Sequence, residues 1–288
     1  MRTVEITYRY GSPDVLARAR PTDADSARLR LEEGNLAFAT LLEGLARDNG
    51  TARRIVEVDP RDLGVQSGTG GAPRQLPFAA VLGCSDARVP IELIFNEGPN
   101  ELFVVRVAGN GLGGDALGSL RYAVEHLRGS LRLVVVLGHS GCGALSAAVD
   151  VFLEPAGYLP LATNEALRGI LDRQLIAVQA SARKLASVYG SDVMKHRRYR
   201  EALIETAIAL NAALAAYTVQ HELGGLDPHG LRAVYGIYLL DTHKVWAPPG
   251  TGLHATGLAE PPTDLASFME FGDAIVRSDR ISSLLTSP

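Results

Sequence analysis

The sequence predicts an α/β fold: a mainly parallel β-sheet flanked by helices, with a helical arm at the N-terminus. Short continuous apolar runs rich in Val and Leu recur at 77–84 (PFAAVLGC), 101–110 (ELFVVRVAGN), 131–139 (LRLVVVLGH) and 231–240 (LRAVYGIYLL). Strands buried on both faces have this composition. Helical stretches at 115–128 and 201–223 alternate with them, the pattern of crossover helices joining parallel strands. The 288-residue chain is 47% hydrophobic and 21% charged, long enough to bury a substantial core.

In chain order, residues 1–21 show no period and carry two prolines, so they read as an extended arm. Residues 22–50 hold a rough helical stripe of Leu29, Leu31, Leu36, Phe38, Leu41, Leu42 and Leu45, weakened in the middle by Gly34. The Gly-rich stretch 64–74 reads as a loop. After the third apolar run, 151–166 looks like a loop and 166–190 like an amphipathic helix. The tail divides into a loop at 247–262 and a terminal helix within 263–285. The whole reads as one domain, with 1–50 as arm and helix, 151–200 as a helical insertion and 247–288 as a C-terminal extension.

Composition excludes several function classes. A formal net charge of −4 offers no electrostatic reason for nucleic acid or an anionic membrane as partner. No run of about eighteen apolar residues suggests a transmembrane helix; the apolar stretch in 201–223 reads as a core or interface helix. The N-terminal MRTVEITYRYGSPD lacks the apolar core of a secretory signal, so the expectation is a cytoplasmic protein. Cys84 and Cys142 are the two cysteines, and a large domain without an export signal seldom needs a disulfide.

Both cysteines sit in turns just after apolar runs, where ligand sites of parallel sheets gather. One motif is Cys84-Ser85-Asp86-Ala87-Arg88. If strand geometry continues past Gly83, residues 84, 86 and 88 share one face. The other is Gly138-His139-Ser140-Gly141-Cys142-Gly143, where a strand ends and a helix begins. Two thiolates and one imidazole make a catalytic zinc set, with the fourth position left for water or substrate, and soft thiolates favour zinc over magnesium or calcium. A structural zinc would want a fourth Cys or His, and no third cysteine exists; without metal, a Cys after a strand is simply a small apolar residue. Zinc with two thiolates is formally neutral, so neighbouring charges matter. Asp86 can close the site as a fourth ligand, or be held off by a bidentate pair with Arg88 and orient a zinc-bound hydroxide instead. Two further signals are weak. Gly109 to Gly114 satisfies G-x-G-x-x-G, a dinucleotide pattern, but also suits a glycine-rich strand-to-helix turn close to the metal site. His126, His196, His221, His229, His243 and His254 have no spacing that marks a site.

The strings CSDARVP (84–90) and GHSGCGA (138–144), joined by FVVRVAGN (103–110), resemble the β-class carbonic anhydrases. LEEGNLAF (31–38) resembles the N-terminal helix motif of that family and VYGIYLLDTHKV (234–245) its final strand. The resemblance covers roughly 29–149 and 201–246. It implies zinc on Cys84, His139 and Cys142, Asp86 and Arg88 as the catalytic dyad, and reversible hydration of carbon dioxide to bicarbonate and a proton. It also implies a homodimer or a multiple of dimers, with the active site near the dimer interface. Gln75 matches a substrate-facing glutamine of plant-like members, and Phe103, Ala108 and Tyr122 match pocket positions. Gly143 would offer its N–H to an anion at a helix start. Val81 stands where one subclass carries a tryptophan for inhibition by bicarbonate, which argues against that regulation. Two departures lie beside the pocket: Val107 replaces a hydrogen-bonding residue, and Ala87 replaces a serine. Alternatives on the same scaffold are hydrolysis of carbonyl sulfide or carbon disulfide, or a non-catalytic bicarbonate-sensing zinc protein.

Overall fold

The computed structural model describes residues 3–11, 19–47, 51–64, 72–226, 230–248 and 257–286. Parts of three sequence-predicted segments lie outside the described residues: 12–18 of the arm, 65–71 of the Gly-rich loop and 249–256 of the C-terminal loop, with His229 and His254.

Four strands of the main sheet follow the four apolar runs: β3 (Ala79–Gly83), β4 (Leu102–Arg106), β5 (Leu133–His139) and β6 (Arg232–Tyr238). They run parallel in the order β4-β3-β5-β6, and a short antiparallel strand β7 (Val245–Trp246) closes the edge. Side chains alternate along each strand, and both sets are covered. Ala80, Leu82, Val134, Val136, Tyr235 and Ile237 enter one apolar cluster, whereas Ala79, Val81, Leu133, Val135, Val234 and Tyr238 enter another. This two-sided burial explains why the strands read as continuous apolar runs rather than alternating ones.

The first cluster is covered by α3 (Gly114–His126), α4 (Gly143–Leu153), α5 (Glu165–Tyr189), α6 (Tyr199–Leu223), α7 (Leu265–Arg277) and α8 (Asp279–Thr286). The helix expected at 166–190 is α5, and the tail forms two helices rather than one. Helix α6 is long and apolar enough to cross a membrane by length and composition, but 72% of its most apolar window is buried inside the protein. Its apolarity is that of a central core helix.

The second cluster is covered by α1 (Ala24–Arg47) and the short α2 (Ile91–Phe95). A reciprocal cap starts α1: Ser26 N–H donates to Asp23 Oδ1 at 2.7 Å, and Asp23 N–H donates to Ser26 Oγ at 3.2 Å. Ala24, Ala27, Leu31, Phe38 and Ala39 form its buried stripe. Leu29 and Leu36, expected in that stripe, are 55% and 59% exposed. They lie two residues from Leu31 and Phe38, which at 100° per residue is around the cylinder from the core face. The N-terminal arm does more than extend: β1 (Thr3–Tyr10) pairs in parallel with β2 (Thr51–Val58), a strand the sequence reading did not anticipate.

The Gly-Asn pair of LEEGNLAF has a clear physical cause. Asn35 Oδ1 accepts from Val245 N–H at 2.7 Å and its Nδ2 donates to the His243 carbonyl at 3.0 Å, so one amide ties α1 to the β6–β7 turn. Gly34 lets α2 approach: a Cβ there would stand 1.9 Å from the Phe95 carbonyl oxygen. Helix propensity alone makes Gly34→Ala stabilising by about 1 kcal/mol. The clash is with backbone, which cannot swing aside, so a net loss of about 2 kcal/mol or more is expected. Urea unfolding measures it; a variant as stable as the parent would refute the packing argument.

Candidate metal centre

Three elements meet at the carboxyl end of the sheet. Cys84 follows β3, His139 is the last residue of β5, and Cys142 is the N-cap of α4. All three are buried, and one ligand atom from each lies within 4.8 Å of the others. The sulfurs of Cys84 and Cys142 are 4.0 Å apart. Tetrahedral zinc with bonds of about 2.3 Å sets two sulfurs about 3.8 Å apart.

The ring of His139 shows a second mark of a ligand. Its Nδ1 faces the Ser140 carbonyl at 3.0 Å, while its fully buried Nε2 has no hydrogen-bond partner. A carbonyl on Nδ1 fixes the tautomer that leaves the Nε2 lone pair free, the arrangement metal-binding histidines use. A buried nitrogen without a partner is costly, and a metal ion there would satisfy it.

The thiols agree with this. A hydrogen bond from Cys142 is the first cause holding the Cys84 thiol far below its ordinary range, followed by His139 and by backbone N–H groups including Gly109. The same contact, with burial, pushes Cys142 up. The two sulfurs thus act on one another, and a divalent cation at the centre would favour both as thiolates.

Asp86 and Arg88 pair, but not by continued strand geometry as expected. The strand ends at Gly83 and the chain turns, with Val89 N–H donating to the Asp86 carbonyl at 3.0 Å. Arg88 donates to Asp86 Oδ1 from its backbone N–H at 2.9 Å and from Nε at 3.0 Å, and to Oδ2 from Nη2 at 2.8 Å. An Asx turn therefore does what strand alternation was expected to do. The Arg88 hydrogen bonds are the first cause holding the Asp86 carboxyl below the usual carboxylate range. Asp86 lies outside the three-residue ligand cluster. Its Oδ2 lies 3.8 Å from His139 Nε2, which places the carboxylate beside the cluster.

The residues expected to line a substrate pocket separate into two groups. Ala108 and Gly143 are at the centre: Ala108 opens the 3-10 turn Ala108–Asn110, and Gly143 is the first residue of α4. Gln75, Phe103 and Tyr122 are not. Gln75 is exposed, ahead of β3 and thus at the opposite end from Cys84. Phe103 is the β4 partner of Ala80, near the start of the strand, and its ring lies 6.5 Å from that of Tyr122. Tyr122 is 49% exposed and stacks on His126 at 4.5 Å. Parallel strands send all their amino ends to the far side, so within one chain these three cannot line the pocket beside Cys84.

The glycine-rich turn lies close to the cluster, as the sequence reading had it, whereas the other supporting residues were missed. Gly109 N–H donates to Cys84 Sγ at 3.2 Å, so the glycine-rich G-x-G-x-x-G turn serves the cluster. Arg106 Nε donates to the Cys84 carbonyl at 3.0 Å and its Nη2 to the Asp86 carbonyl at 2.6 Å. Asn211 of α6 and Gln174 of α5 hold the Gly109 and Ala108 carbonyls at 3.0 and 3.4 Å. Glu205 of α6 accepts from Gly141 N–H at 2.9 Å. The available signal was a polar residue standing alone on an otherwise buried helical face.

A sequence model described as carbonic anhydrase matches residues 79–223. Carbonic anhydrase 2 of Mycobacterium tuberculosis is 44% identical over 93 residues, which are 31% of this chain and 44% of that protein. The match thus spans under half the length of that relative. A carbonic anhydrase of Pseudomonas aeruginosa is 33% identical over 215 residues, 71% of this chain and 88% of that protein. Among solved structures, the Coccomyxa β-carbonic anhydrase in complex with acetazolamide is 20% identical, with a TM-score of 0.46, covering 82% of this chain and 89% of that one. The chain belongs to the carbonic anhydrase family, in its β class.

Proposed function

We propose that this protein is a zinc enzyme that reversibly hydrates carbon dioxide to bicarbonate and a proton. The observation that carries the reading is the buried Cys84–His139–Cys142 cluster, with an unpartnered His139 Nε2 facing a carboxylate that Arg88 holds in place. Two thiolates and an imidazole favour zinc. Bound there, zinc would supply a Lewis acid that makes water acidic enough to act as a nucleophile near neutral pH, a role for which carbonic anhydrase is the standard example.

The protein's own groups do the rest. Asp86, kept anionic by Arg88, accepts a hydrogen bond from the reacting water and turns its lone pair toward the carbon. Arg88 spends its fork on Asp86 and keeps that carboxylate from acting as a ligand. Arg106 fixes the backbone of both Cys84 and Asp86, so the ligand and the orienting group move as one unit. The Gly143 N–H, at the start of α4, provides a donor for the anionic product.

The test is stopped-flow carbon dioxide hydration on protein of measured zinc content. Rapid hydration that scales with zinc is the expected result. Full zinc occupancy without hydration would overturn the reading; sulfide release from carbonyl sulfide or carbon disulfide would then redirect it to the sulfur substrates.

We also propose that the working unit is a homodimer or a multiple of dimers. Gln75, Phe103 and Tyr122 stand away from their own cluster, and a second copy is the simplest means of bringing such residues to a metal centre. Exposed Leu29 and Leu36 on α1 supply apolar surface for the contact. Light scattering on the eluting protein should give twice the 30.6 kDa chain mass or a multiple of that. A fully active monomer would refute it.

A further inference from the structure

The C-terminal extension lies beyond the residues 79–223 matched to the family, yet its last helix begins beside the metal turn. Arg280, near the start of α8, donates to Glu205 Oε2 from Nε at 2.9 Å and from Nη2 at 2.7 Å. The other Glu205 oxygen accepts from Gly141 N–H at 2.9 Å. Gly141 stands between the ligands His139 and Cys142 with a left-handed φ of 63°. A continuous path of charge-assisted hydrogen bonds therefore runs from the tail to the peptide that joins two of the three ligands.

The neighbouring residues already have anchors. Ser140 N–H donates to the Tyr238 carbonyl at 3.0 Å and Ser140 Oγ accepts from Leu240 N–H at 2.9 Å, while Cys142 caps α4. Gly141, the conformationally free step between them, is anchored through Glu205. The Glu205 side chain is only 12% exposed, and the Arg280 fork is what its Oε2 meets. Arg280 also faces the Asp241 carboxylate at 4.0 Å and interacts with Glu201. Acidic groups from α6 and from the turn after β6 thus gather its guanidinium at the carboxyl end of the sheet. Its helix is held by the core through buried Ile281 and Leu284, and the preceding α7 is tied to α5, where Tyr189 Oη donates to the Val276 carbonyl at 2.6 Å and Lys184 pairs with Asp273 at 2.9 Å.

We propose that Arg280 is a positioning residue of the metal centre: through Glu205 it holds the Gly141 peptide in the left-handed step that aims His139 and Cys142 at one point. The C-terminal extension is then part of the metal site rather than an appendage. This inference rests on the zinc reading of the cluster.

The test is the rate at which the zinc-loaded full chain gives up its metal to a chelator. Arg280→Ala is expected to lose zinc about tenfold faster than the parent, the scale of outer-shell changes at metal sites. Arg280→Lys should restore part of the difference, because an ammonium keeps the charge but not the fork. Glu205→Gln, which keeps an acceptor for Gly141 and loses the ion pair, should fall between parent and Arg280→Ala. A merely structural role is separated by two readouts. Lys184→Ala loosens the tail at its other anchor, off the Glu205 path, and should leave zinc release near the parent rate. The thiolate absorption of the cobalt-loaded protein should shift in Arg280→Ala and not in Lys184→Ala. If the parent itself binds no zinc, the metal reading falls and this inference with it. If the parent binds zinc and Arg280→Ala releases it no faster than the parent or Lys184→Ala, the inference alone is overturned.

Discussion

Cys84→Ser is expected to strip the protein of zinc and abolish carbon dioxide hydration. Zinc sites in small domains are worth about 10–16 kcal/mol in total, so one ligand of a four-position set accounts for about 3 kcal/mol, roughly 10²-fold in affinity. The loss should be larger here than a single bond suggests. Cys84 Sγ is the sulfur on which the Gly109 N–H converges, and its backbone carbonyl is held by Arg106. Serine in that geometry offers an alcohol that ionises far less readily than a thiol. Metal analysis of the dialysed variant, alongside stopped-flow hydration, checks both parts. Stoichiometric zinc retained by Cys84→Ser would remove Cys84 from the ligand set and sink the assignment of the centre.

Asp86→Asn should do the opposite with the metal and the same with the rate. Zinc content should stay at the parent level, because Asp86 is outside the ligand cluster. Hydration should fall by about 10²-fold or more, the usual contribution of a positioned proton-handling group. The physical reason lies in the pair. Arg88 addresses both carboxylate oxygens, and an amide presents an oxygen to one nitrogen of that fork and an NH2 to the other. The side chain must rotate or lose a hydrogen bond, and it can no longer accept from the reacting water at full strength. The loss should fall on kcat. A variant with normal kcat would show that Asp86 is a structural partner of Arg88 and nothing more.

The two variants separate binding from chemistry, and they draw on what was most legible in the sequence. Cys84, Asp86, Arg88, His139 and Cys142 were all visible because each lies in a short motif. Within five or six residues, chain connectivity alone brings chemically telling groups together. The four parallel strands of the main sheet were equally legible, since burial on both faces leaves an unbroken apolar run. The route from motif to geometry was less so. A continued strand was expected past Gly83, whereas an Asx turn sets the Asp86–Arg88 pair. Both arrangements bring residues 86 and 88 together, and only the local hydrogen bonds distinguish them.

Legibility also failed where a sequence pattern had two causes. Gly34 reads as a flaw in a helix and is instead the point where α1 meets the Phe95 carbonyl. Leu29 and Leu36 read as core and face outward, because a rough stripe of leucines does not say which side is buried. Val245–Trp246 is too short to announce itself as a strand, and β1–β2 pairing depends on bringing residues 3–10 to residues 51–58.

By itself, then, the sequence determined the fold class, the β-carbonic anhydrase resemblance and the chemical identity of the cluster, because periodicity and short motifs are local properties of the chain. The tertiary structure decided the rest. It separated Gln75, Phe103 and Tyr122 from the cluster, because parallel strands send their two ends to opposite sides of the sheet. It brought Gln174, Glu205, Asn211 and Arg280 to the metal turns from helices far along the chain. Such contacts are set by how helices pack over the sheet, and no spacing within the chain encodes them.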